Sequence, residues 1–175
     1  MHRLPAIFVP ILLAAAATTL FAENWPAWRG PNASGVSDER DLPVTWSQTE
    51  NIRWKTPLAG PGNSTPVVWG DRVFLTQAID GGRRRAIVAI DRADGKTLWQ
   101  HEVACGVEET SHPDNPPCSG SAATDGTAVY AHLASAGVVA CDFDGKELWR
   151  RDLGPVLHKW GNGTSPPVPL STRIC

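Results

Sequence analysis

The feature that most constrains this chain is a phrase that occurs twice. Ala89-Ile90-Asp91-Arg92-Ala93-Asp94-Gly95-Lys96-Thr97-Leu98-Trp99 returns as Ala140-Cys141-Asp142-Phe143-Asp144-Gly145-Lys146-Glu147-Leu148-Trp149. Trp149 follows Trp99 by 50 residues, and Trp99 follows Trp54 by 45. Self-similarity at this period means a repeat architecture, in which each copy buries its faces against its neighbours. Helical periodicity is almost absent after Ala22, and short β-rich runs alternate with turn signals instead. Val67-Val68-Trp69, Arg72-Val73-Phe74-Leu75-Thr76 and Ala86-Ile87-Val88-Ala89-Ile90 lead to Asp94-Gly95 and then Thr97-Leu98-Trp99. Asp-Gly between two such runs predicts a hairpin with a tight primed turn, because Gly accepts positive φ. The second unit repeats this order. One copy therefore reads as four short antiparallel strands with a Trp on the last, which is the blade of a β-propeller.

The ends read differently. His2 and Arg3 precede an uncharged apolar run from Leu4 that closes in Leu20-Phe21-Ala22. A basic start, an apolar stretch and a small-residue cut before Glu23 are the parts of a secretory signal. The reading is cleavage and export to the periplasm or medium, with no membrane span left after cleavage. Near Asn162-Gly163-Thr164-Ser165-Pro166 a third copy opens as the first does at Asn63-Ser64-Thr65-Pro66. It then runs into Pro167-Val168-Pro169, which spoils a central strand. From this the expectation is a truncated gene product. The division is 1–22 signal peptide, 23–51 extended Trp-rich lead-in and 52–105 first blade. Then come 106–117 inter-blade loop, 118–154 second blade, 155–166 start of a third and 167–175 aberrant tail.

The net charge of −2 and the scattered Lys and Arg exclude the basic footprint of a nucleic-acid binder. Arg83-Arg84-Arg85 beside Asp80-Gly81-Gly82 reads as a solvated hairpin cap. The loop with Glu108, Glu109, His112 and Asp114 reads as plain surface. The cysteines lack C-x-x-C spacing, so zinc has little support. Export allows disulfides; Cys105 and Cys118 flank one loop and could close it, and the spacing leaves the pairing open. Cys141 reads as a small buried hydrophobe.

The doubled phrase resembles the signature of pyrroloquinoline-quinone (PQQ) repeat propellers, roughly A-x-D-x-x-T-G-x-x-x-W. Ala89, Asp91, Gly95 and Trp99 match its spacing, and Ala140, Asp142, Gly145 and Trp149 match with one residue deleted. Asn24-Trp25-Pro26-Ala27-Trp28-Arg29-Gly30-Pro31-Asn32 and His158-Lys159-Trp160-Gly161 resemble an exported, planctomycete-type group of such proteins of unassigned activity. The fold class this implies is all-β: a partial PQQ-like (quinoprotein-type) propeller of about two to three four-stranded antiparallel blades, with the ring not closed. In that family the Trp docks on the adjacent blade, so Trp54, Trp99 and Trp149 are expected at seams, with Asp91, Gly95, Asp142 and Gly145 shaping the turns.

The resemblance implies two classes of function. Quinoprotein dehydrogenases bind PQQ and Ca²⁺ and oxidise alcohols or sugars. Non-enzymatic members, such as the outer-membrane assembly lipoprotein, use the ring to dock other proteins through its faces. No catalytic, cofactor-binding or metal-ligating residue stands out, and the aspartates are explained by turns. The leading expectation is an exported, non-catalytic binding or scaffold module. The alternative is a fragment of a PQQ-dependent dehydrogenase, the one reading that brings in PQQ and Ca²⁺.

Overall fold

The computed structural model describes residues 23–167. The signal expected over 1–22 and all of the tail except Pro167 lie outside them. Eight strands form two separate antiparallel sheets. The first runs β1 (Val67–Trp69), β2 (Arg72–Ile79), β3 (Arg84–Asp91), β4 (Thr97–Ala104) in spatial order. The second repeats it as β5 (Ala123–Thr124), β6 (Ala128–His132), β7 (Val138–Asp142), β8 (Glu147–Arg151). Both have the same irregularity, a register shift between Ala89 and Ile90 and between Ala140 and Cys141. Each is a meander of neighbouring strands, the four-stranded blade the repeat predicts.

The turn between the last two strands differs from expectation. Instead of a two-residue primed turn, the β3–β4 connection spans five residues. Its first aspartate closes it: the Asp91 carboxylate accepts the N–H groups of Ala93 and Asp94. In the second blade Asp142 accepts those of Asp144 and Lys146. A short carboxylate that satisfies its own loop's amides favours a wider turn over the primed one.

The main core lies between the blades. Alternation along β2 and β3 puts Phe74, Ile87 and Ala89 on one face, fully buried against Val129, Ala131, Leu133, Val139 and Cys141 of the second blade. Phe74 meets the rings of Trp99 at 6.0 Å and Phe143 at 5.3 Å. Polar contacts cross the seam as well. His101 Nε2 lies 2.9 Å from Glu147 Oε2. Arg72 sits over the Phe143 ring and leaves Nη1 as the one buried side-chain polar atom among the described residues with no partner.

The segment before the first blade packs on it: Trp25 bridges Val68 through paired backbone hydrogen bonds. Where the first strands β1 and β5 meet, a further link repeats. Thr65 and Ser121 each lie two residues before their strand. The Thr65 N–H donates to Ser121 Oγ at 2.8 Å, and the Ser121 N–H donates to Ser165 Oγ at 3.0 Å. Ser165 thus stands where a third blade would place the same hydroxyl.

Candidate functional site

The tryptophan expectation divides. Trp54, ahead of β1, lies over Gly95 and donates its indole N–H to the Arg92 carbonyl at 2.9 Å. Trp99 lies over Gly145 and donates to the Phe143 carbonyl at 2.7 Å. Both glycines have positive φ, 77° and 86°. A Cβ at either would fall 2.6 or 2.7 Å from the indole, so only glycine lets the ring approach. Trp149 does not dock. It is 39% exposed, on the face of the second blade turned away from the first, beside the Tyr130 ring at 6.1 Å. The expectation of equal burial fails because no described sheet covers that face. Trp54, Asp91, Gly95, Trp99, Asp142, Gly145 and Trp149 are spread along seams and turns and form no common pocket.

The structure gathers a different set at the other end of the strands. Arg85 follows the parity of Ile87 and Ala89, so its side chain enters the seam and is 1% exposed. The solvated cap expected of the Arg83–Arg85 run therefore fails for Arg85. Strand alternation, not hydropathy, decides its side. Its Nη2 pairs with Glu109 Oε2 at 2.9 Å. Its Nη1 donates to the Leu133 carbonyl and its Nε to that of Gly82, both at 3.2 Å. Glu109 is buried too, and its Oε1 accepts the Ser135 N–H at 2.7 Å. The loop taken as plain surface is thus pinned through a buried ion pair to both blades. Burial raises the Glu109 carboxyl, but hydrogen bonds from Ser135 and from Arg85 outweigh it, and the net direction is down.

The two hairpin tips beside this pair match. Asp80 and Ala134 open equivalent 3-10 turns with φ of 51° and 52°, a region unfavourable for alanine. A cavity of about 570 Å³ opens here, walled by the Asp80–Arg83 turn, Arg85, the Cys105–Glu109 segment and Pro117. The Arg85 and Glu109 groups are occupied in holding the blades. Arg83 and Glu108 bring opposite charges to the lining.

Cys105, Cys118 and Cys141 are unpaired and buried. Burial pushes the Cys118 and Cys141 thiols up to about 12, which keeps both out of nucleophilic chemistry at neutral pH. His112 and Asp114 stay at the surface, 3.5 Å apart, with His112 against the Trp160 ring. Among the described residues no three His, Cys, Asp or Glu side chains gather as a metal site. No helix among them is long and apolar enough to cross a membrane.

Sequence reasoning missed Arg85 and Glu109. The available signal was the shared parity of Arg85 with Ile87 and Ala89; nothing local marks Glu109.

No curated protein matches the chain significantly. The family model described as outer membrane protein assembly factor BamB matches residues 30–165, a span that takes in both blades, the pinned loop and the Ser165 link. With that match over most of its length, the chain belongs to this family of PQQ-repeat proteins.

Proposed function

We propose that the chain is an exported binding or scaffold module that holds polypeptide at the end of the blades around Arg83 and Glu108. The carrying observation is the Arg85–Glu109–Ser135 clasp. It fixes the 106–117 loop against both blades, so the charged groups beside it stand on a rigid support, as recognition requires. Buried thiols and carboxylates committed to turns favour recognition over bond-making. The family's description as an outer membrane protein assembly factor supports a polypeptide client.

The test uses the mature chain from Glu23 and a fluorescently labelled outer-membrane β-barrel protein diluted from urea. Anisotropy is expected to show saturable binding, weakened about tenfold, or ~1.4 kcal/mol, by Arg83→Glu combined with Glu108→Lys. Absence of saturable binding overturns the reading. Dye reduction with alcohols or sugars that depends on added PQQ and Ca²⁺ would replace it with an oxidoreductase. Amino-terminal sequencing of the exported protein is expected to begin at Glu23; a retained Met1 in a membrane fraction would overturn cleavage.

A further inference from the structure

A second cavity, of about 470 Å³, lies where the first strands of the blades meet. Its wall is built by the repeat. Ser121 and Ser165 are the linked hydroxyls at equivalent positions, and Asn63, Ser119 and Gly163 stand two residues before Thr65, Ser121 and Ser165. Trp28 of the lead-in completes the lining and is 58% exposed. Every described residue lining this cavity is uncharged, with Arg29 beside it, its guanidinium 5.9 Å from the Trp28 ring centroid, whereas Arg83 and Glu108 line the other.

The groups here have capacity to spare. Ser121 and Ser165 each accept one backbone N–H and keep a hydroxyl hydrogen to donate. The Thr164 hydroxyl and the Trp28 indole N–H have no hydrogen-bond partner among the described residues. Three kinds of ligand can be weighed against this lining. A phosphate or carboxylate would find no cation in the lining itself, and the Arg29 guanidinium beside it is engaged by the Trp28 ring and the Ser34 carbonyl. An acyl chain would cover these hydroxyls without pairing them, taking them from solvent at a cost of about 1–3 kcal/mol each. A pyranose meets both demands: its C–H face lies against the electron-rich face of an indole, and its hydroxyls both donate and accept. The volume falls in the range of small-ligand pockets, roughly 300–1,000 Å³.

We propose that this cavity is a saccharide-binding site, with Trp28 as the stacking platform and the Ser121, Thr164 and Ser165 hydroxyls as the polar wall. It is separate from the Arg83–Glu108 lining, so its loss leaves polypeptide binding there unchanged.

The experiment is calorimetric titration of the mature chain with glucose, N-acetylglucosamine and cellobiose. At least one is expected to bind saturably. Trp28→Ala is expected to weaken it at least tenfold and Thr164→Val severalfold. Trp46→Ala, which removes another exposed indole outside the cavity, leaves it unchanged. Equal melting temperatures for the three variants separate lost binding from lost fold. Absence of saturable binding by all three sugars overturns the proposal, as does binding that Trp28→Ala leaves intact.

Discussion

The indole N–H of Trp99 donates to the main-chain carbonyl of Phe143 across the seam, 2.7 Å away. One side chain thereby joins the outer strand of the first blade to the turn of the second, with Gly145 kept bare beneath the ring.

Trp99→Ala is expected to lower the unfolding free energy by ~3 kcal/mol, the scale for a large aromatic in a packed seam. Trp149→Ala is expected to cost only ~1 kcal/mol, since that ring is 39% exposed. Urea titrations followed by circular dichroism check the pair. Equal losses would mean that the outer face of the second blade is covered in solution.

Removing one partner of the buried ion pair should be severe. Glu109→Gln leaves the Arg85 charge uncompensated and is expected to cost ~3–5 kcal/mol. Replacing both together, Arg85→Met with Glu109→Leu, should cost less than either single change. A double-mutant cycle by urea denaturation reads the coupling, and additive losses would show that the two groups do not act as a pair.

Asp125 carries a pH dependence. Burial raises its carboxyl, but hydrogen bonds from Ala128, Thr127 and Tyr130 prevail and hold it down to about 2, against an ordinary 3.8. A carboxyl depressed in the fold stabilises above its unfolded value and loses that contribution as pH falls toward its folded one. The melting-temperature gap between the native chain and Asp125→Asn is therefore expected to be full above pH ~4 and to close toward pH ~2. A gap that persists at pH 2 would refute it.

Cys118 should resist thiol reagents while the chain is folded. Burial raises its thiol to about 12, leaving almost no thiolate at neutral pH. In a Cys105→Ser, Cys141→Ser, Cys175→Ser background, a disulfide-exchange dye is expected to react with Cys118 only in denaturant. Prompt reaction in native buffer would show that the segment opens.

The blades were legible because their signals are local. Strand runs, the spacing of Asp91, Gly95 and Trp99, and the return of all three in the second copy need no knowledge of distant residues. The two-residue turn was misread because Asp91 can cap either a tight or a wide loop, and the choice depends on hydrogen bonds that composition does not display. Arg85 was misread for a related reason. Three consecutive arginines look solvated, yet strand alternation sends the third inward, and only a carboxylate 24 residues later makes that tolerable. Trp149 shows the reverse limit: its motif matches that of Trp99, but burial belongs to what stands opposite, which no motif encodes.

The hydroxyl link from Thr65 to Ser121 to Ser165 has a direction, each donor passing to the acceptor of the following copy. The tryptophan link from Trp54 to Gly95 and Trp99 to Gly145 runs the same way. A blade gained by tandem duplication of the coding segment would arrive with a matching socket on one side and a matching plug on the other. Joints of this kind carry no tally. How many copies such a molecule holds can therefore drift in evolution without any joint being reinvented, and only the small rotation at each step decides where a circle closes.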